Sequence, residues 1–160
     1  MTSSRSGEVS IHIDAPPEAI WDTLAHIERM GEWSPECYRV EWLEGASSPA
    51  KVGARFKGSN KSGWLRWSMP CEVKVADRGR ELAWSTMRKG QEIVRWAYRL
   101  QPSNGGTDLT ESFEALSWPF IVRVFEDVVM RDRDRQREHA MRTTLERIKA
   151  VVEGSPNPSM

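Results

Sequence analysis

Between Tyr38 and Leu116 the chain is interrupted by turn signals at Gly45 to Pro49, Asn60 to Gly63, Asp77 to Gly79, Lys89-Gly90 and Ser103 to Gly106. Between the interruptions apolar and polar residues alternate, which is the signature of strands joined as an antiparallel meander. Six strands fit this stretch. In Leu65 to Val75, Leu65, Trp67, Met69, Cys71, Val73 and Val75 share one face, and Arg66, Ser68, Glu72 and Lys74 share the other. Pro70 inside this run implies a bulge, a bend or an exposed edge, because proline cannot donate to a ladder. Ile93 to Leu100 alternates as plainly, with Val94, Trp96, Tyr98 and Leu100 opposite Arg95 and Arg99. In Thr107 to Leu116 the more apolar face holds Leu109, Phe113 and Ala115 but also Glu111. The opposite register, with Thr110, Ser112 and Glu114 inward, would leave Glu111 in water.

The flanks complete an α+β pattern. Glu8 to Ile13 alternates as a first strand, and Asp14-Ala15-Pro16-Pro17-Glu18 opens a helix carrying Ile20, Trp21, Leu24 and Ile27. That helical stretch should end or bend near Gly31, and Trp33-Ser34-Pro35 cannot continue it. From Ser117 the chain reads as helix, with Ile121, Val124, Phe125 and Val128 as one apolar face and Met141, Leu145, Ile148 and Val152 as another. Extended backward, the second stripe carries Arg137, Asp134 and Met130. The stretch is therefore either one long helix with charged residues on its inner face or two helices that change direction near Met130. Seven twisted strands can curl around one long helix, and a single helical stripe cannot fill the resulting concavity. A mainly apolar cavity with a few polar groups is the geometric consequence. Residues 8–153 form one domain, preceded by a disordered lead (1–7) and followed by a disordered tail (154–160).

Composition narrows the function. The 23 Lys and Arg cancel the 23 Asp and Glu, so no net field gathers nucleic acid, and no run approaches the roughly 18 apolar residues of a membrane span. Two cysteines, Cys37 and Cys71, and a polar N-terminus without a signal-peptide core point to the cytoplasm. Phosphate loops, dinucleotide fingerprints, nucleophile elbows and clustered zinc ligands are absent, so no cofactor and no metal is expected. His12, His26 and His139 are scattered and are assigned solvated or capping roles. Eight tryptophans in 160 residues are a large aromatic inventory, held either in the core or against a ligand.

Several strings in this order resemble the polyketide cyclase/dehydrase branch of the START-like (SRPBCC), helix-grip superfamily, over roughly residues 8 to 153. They are Ile13-Asp14-Ala15-Pro16 with Trp21, Glu32-Trp33-Ser34-Pro35, Val52 to Asn60, Cys71-Glu72-Val73, Trp96-Ala97-Tyr98 and Gly106 to Ser112. The resemblance implies a helix-grip fold and a cavity for a hydrophobic small molecule. Fold alone does not set activity.

The candidate ligand contacts are the strand residues Trp67, Met69, Trp84, Trp96, Tyr98 and Phe113, each of which also suits plain core packing. Trp33 and Trp64 are candidates for a cavity mouth, and Phe125 and Met130 for the helical side. Glu111 is the most informative charge, expected to pair with an inward arginine or to bind a ligand hydroxyl, because an isolated buried carboxylate is costly. Asp134 and Arg137 either face the cavity or form an ion pair on a solvated face, and the Arg131 to Arg142 cluster as a whole is expected to be solvated.

The leading expectation is binding, transport or sequestration of a lipid-like or aromatic molecule by a monomer or homodimer. The alternative implied by the resemblance is an aromatase/cyclase catalysing aldol closure and dehydration. Tyr98 and Glu111 would then be its catalytic groups, and Arg95 or Arg137 would orient a carbonyl if turned inward. A third class, a protein-partner domain, would use an apolar patch on the outer sheet face.

Overall fold

A computed structural model describes residues 6–117 and 133–154. The chain runs β1 (Ser6–Ile13), α1 (Pro17–Leu24), a 3-10 helix (Ile27–Glu32), β2 (Cys37–Trp42), β3 (Arg55–Ser62), β4 (Leu65–Asp77), β5 (Glu81–Arg88), β6 (Gln91–Ser103), β7 (Gly106–Ala115) and α2 (Arg133–Lys149). All seven strands join in one antiparallel sheet, ordered β1-β7-β6-β5-β4-β3-β2. The α+β helix-grip architecture expected from the sequence is present.

β1 begins at Ser6, so Ser6 and Gly7 belong to the sheet and not to a lead segment. The first helical stretch divides at Ala25 and His26, earlier than Gly31, because His26 (φ −86°, ψ 72°) leaves helical torsions. The Ala25 carbonyl instead accepts a hydrogen bond from the Ala50 amide at 2.9 Å. Gly31 matters for another reason: a Cβ there would stand 2.9 Å from the Tyr38 carbonyl oxygen, so only glycine lets the 3-10 helix lie so close to β2.

Pro70 sits at an edge, as its chemistry requires. β4 pairs with β3 from Leu65 to Glu72 but with β5 only from Cys71 onward, which leaves residues 65–70 without a β5 neighbour. Register shifts at Cys37/Arg39, Val73/Val75 and Thr86/Met87 add local twist to the sheet.

At the end of the sheet holding the β4–β5 and β6–β7 turns, the concave face is filled. Ile13, Ile20, Val73, Leu82, Leu109, Leu145 and Ile148 are all completely or almost completely buried there. The Lys149 ammonium ties α2 to β1 by donating to the His12 carbonyl at 2.8 Å. On α2 the stripe Met141, Leu145 and Ile148 faces inward as its spacing predicts. Its backward extension is corrected at one position: Arg137 is buried, but Asp134 is 75% exposed and Arg133 takes the inner place. The expectation that the Arg131 to Arg142 cluster is solvated therefore fails for Arg133 and Arg137. The division of the helix near Met130, and Phe125 and Met130 themselves, lie outside the described residues.

Candidate functional site

Toward the β3–β4 and β5–β6 turns the concave face is hollow. A cavity of about 440 Å³ lies between sheet and α2, within the range of small-molecule sites. Strand alternation decides its lining. β4 contributes Leu65, Trp67, Met69 and Cys71, with Arg66 joining at the rim beside the β3–β4 turn, and β6 contributes Val94, Trp96 and Tyr98. β5 supplies Trp84 and Thr86, and β3 supplies Phe56, Gly58 and Asn60. Trp84 joins Phe56 (6.2 Å between ring centroids) and Tyr98 (5.7 Å) in one aromatic wall.

Glu111 sits on β7 directly opposite Tyr98 on β6 and Val9 on β1, and it turns inward with 6% exposure. The register that would have solvated it is not adopted. Burial pushes the Glu111 carboxyl up to about 8; the Tyr98 hydroxyl opposes the shift and the Glu36 carboxylate adds to it. At neutral pH Glu111 is therefore mainly a neutral acid, able to donate as well as accept. Among the described residues its Oε1 has no hydrogen-bond partner, so the expected pairing with an inward arginine is not seen at that atom. Tyr98 is fully buried and its hydroxyl is held well above the usual phenol range, first by burial and then by Glu111.

α2 adds Arg133, Arg137 and Thr144. Arg137, whose side chain is 4% exposed, donates to Asp134 Oδ1 at 3.0 Å and lies 4.6 Å above the Phe113 ring. Arg133 donates to Glu36 Oε1 at 2.9 Å and stands 5.7 Å from the Trp67 ring. Both cations thus rest on aromatic faces. Arg95 faces the other way: it alternates with Trp96 on β6 and bonds Glu92 at 2.7 Å, so it is unavailable to orient a carbonyl in the cavity.

Of the candidates named from sequence, Trp67, Met69, Trp84, Trp96, Tyr98, Glu111 and Arg137 line the cavity. Phe113 lies behind this lining, buried and 5.5 Å from the Trp96 ring. Asp134 points to solvent. Trp33 is corrected from cavity mouth to core: it is buried, with the Arg29 guanidinium 5.5 Å from its ring, because the 3-10 helix folds back onto β2. Its neighbours Met30 and Ser34 line the cavity in its place. Trp64 is 80% exposed at the β3–β4 turn and is not part of the lining.

Sequence reading missed Arg133 and both cysteines. An i−4 step from Arg137 would have reached Arg133, and alternation already placed Cys71 among inward residues. Burial pushes the Cys37 thiol up to about 11 and the Cys71 thiol up to about 12, which keeps both protonated and weakly nucleophilic. Among the described residues no three His, Cys, Asp or Glu side chains gather as a metal site, and no helix is long and apolar enough to cross a membrane.

A curled antiparallel sheet closed by a C-terminal helix over an aromatic, mainly apolar chamber defines a helix-grip domain. The chain belongs to the polyketide cyclase/dehydrase and lipid transport family, whose sequence model matches residues 4–153. The Polyketide_cyc-like protein Cgl2372 of Corynebacterium glutamicum is 30% identical, with a TM-score of 0.59 over 98% of this chain and 96% of that one. TTHA0849 of Thermus thermophilus is 13% identical, with a TM-score of 0.73 over 96% of this chain and all (100%) of that one. The di-domain ARO/CYC StfQ of the steffimycin biosynthetic pathway is 12% identical, with a TM-score of 0.72 over 94% of this chain and 51% of that one. The last two show the fold alone. No curated protein sequence matches the chain.

Proposed function

We propose that the protein binds a hydrophobic small molecule, aromatic or lipid-like, whose polar end reaches Glu111. The observation that carries this reading is the buried Oε1 of Glu111, without a partner among the described residues, inside a cavity whose other described walls are largely aromatic and aliphatic. A buried polar atom without a partner costs about 1–3 kcal/mol. A ligand hydroxyl or carbonyl there would recover that cost while its apolar body covers Trp67, Trp84 and Trp96. Carriage or sequestration of such a molecule needs nothing more.

The juxtaposition of Tyr98 and Glu111 favours a second reading, an aldol cyclisation and dehydration of a poly-β-keto chain. The Glu111 carboxylate would take a proton from a methylene between two carbonyls, and the resulting enolate carbon would add to a third carbonyl whose oxygen receives the proton back from Glu111. A second α-proton and that hydroxyl would then leave as water, with Arg137 orienting a second oxygen. Glu111 becomes an effective base only as pH rises toward about 8.

Native mass spectrometry with solvent extraction of protein purified from its own host tests the first reading. A co-purified lipid or aromatic compound, displaced by a lipophilic fluorophore in the wild type and held less tightly by Glu111→Gln, is the expected result. A protein that binds neither compound nor fluorophore would remove this reading. The second is tested with a poly-β-keto thioester mimic: a dehydrated ring product that disappears in Glu111→Gln supports an enzyme, and an unchanged mimic rejects it.

A further inference from the structure

The protein has no formal net charge, yet four exposed cations lie in or beside two of its turns. β4 and β5 are antiparallel neighbours, so the β3–β4 turn at Ser62–Leu65 and the β5–β6 turn at Arg88–Gln91 project from the same end of the sheet. Lys61 and Arg66 flank the first turn, Arg88 and Lys89 form the second, and all four are exposed. No acid occurs in residues 60–67 or 86–91. Among the described residues Glu36, whose carbonyl accepts the Lys61 amide, and Glu92, which follows the second turn, adjoin the turns with their carboxylates engaged by Arg133 and Arg95. Asp134 and Glu138 on α2 flank Gln136, which accepts from Ser62, and their carboxylates are engaged by Arg137 and Arg142. In the first turn, between Lys61 and Arg66 in the chain, Trp64 has 80% of its surface in solvent. Gly63 and Gly90 have positive φ (60° and 78°), and a Cβ on either would meet nothing within 4 Å, so both turns project into open space.

We propose that this end of the molecule docks on an anionic membrane surface, with Trp64 settling at headgroup depth and Lys61, Arg66, Arg88 and Lys89 facing lipid phosphates. Indole favours that depth because its ring is apolar and its N–H stays hydrated. Screening limits charges to interactions within about 8–10 Å, so a membrane responds to the local cluster and not to the zero net charge. Each cation near the surface strengthens binding roughly fivefold. A solitary projecting indole with cations spread over two turns suits a deformable interface, whereas an acidic protein would need a pocket cut to receive Trp64. The cavity lining reaches the same end, through Leu65 beside one turn and Thr86 beside the other. A ligand taken from the bilayer would then cross little water. That last point rests on the binding function proposed above; the docking does not.

Co-sedimentation of the full chain with vesicles of phosphatidylcholine, alone and mixed with phosphatidylglycerol, tests the inference. Binding is expected only to the mixed vesicles, weakened by salt. It should fall roughly tenfold or more in Trp64→Ser and roughly fivefold or more in Lys61→Glu or Lys89→Glu. Lipids brominated on their acyl chains should quench part of the tryptophan emission, and Trp64→Phe should lose that part. Equal binding to both vesicle types, no binding to either, or wild-type binding by Trp64→Ser would overturn docking. So would an acidic protein captured at this end while vesicles are ignored. Lipophilic fluorophore uptake separates the two readings: Trp64→Ser should retain it, because Trp64 does not line the cavity. Vesicle binding without fluorophore uptake in the wild type would remove the cavity reading and leave docking standing.

Discussion

The two halves of the concave face are built from the same strands and the same helix, yet one is solid and the other hollow. In the solid half Met141, Leu145 and Ile148 of α2 are buried in one aliphatic cluster with Leu82, Leu109 and Ile13. In the hollow half the same helix presents Arg133 and Arg137, and the strands present large aromatics and Glu111. Stability and ligand space are thus separated along one axis. Branched aliphatic chains fill space closely, whereas the rings of the hollow half meet edge-on or tilted, at interplanar angles of 67° for Phe56–Trp84, 48° for Trp84–Tyr98 and 38° for Trp96–Phe113, and leave room between them.

The largest effect should come from the solid half. Leu145→Ala removes atoms from a fully buried site and should cost about 2–5 kcal/mol in denaturant unfolding. Trp96→Leu, in the hollow half, should cost clearly less stability while weakening fluorophore binding several-fold. Equal losses of stability would erase the distinction between the halves.

Glu111 gives the next effect. Its carboxyl titrates at about 8 in the folded protein against 4.5 for the free group. The folded state therefore keeps a proton that the unfolded state has lost between these values. The associated stability is present in full below about pH 4.5 and falls as pH rises to about 8, by several kcal/mol at most. Glu111→Gln should flatten that slope in unfolding curves recorded from pH 5 to 9. A slope unchanged by the substitution would show that the carboxyl is already ionised.

The smallest effect concerns the thiols. Buried and held at about 11 and 12, Cys37 and Cys71 should react with a disulfide reagent at pH 8 many times more slowly than the unfolded chain. A cavity ligand should slow them further, because both line the cavity. Rapid labelling in the folded state would mean that the hollow half opens freely.

Much of this arrangement is legible in residue order. Period-two alternation in β4 and β6 correctly assigned Trp67, Met69, Trp96 and Tyr98 to the inner face, because a strand offers a side chain only two directions. The same rule found Glu111 but could not choose its register, since both faces of β7 are mixed. Trp33 was misplaced because a proline-bounded loop says nothing about which way the chain returns. Asp134 and Arg133 are adjacent on a helix, where roughly 100° of rotation separates neighbours and a stripe can drift by one position.

The strands, their order and the antiparallel meander were already contained in the residue order, because they follow from local periodicity and turn chemistry, and the family was legible as a resemblance of ordered strings between Ile13 and Ser112. Folding in three dimensions was needed to bury Glu111 with one oxygen unpartnered among the described residues, to turn Arg133 rather than Asp134 inward, and to bring the exposed Trp64 to the same end of the sheet as four exposed cations. Burial, pKa and surface charge arise from contacts between residues far apart in the chain, and no local pattern contains them.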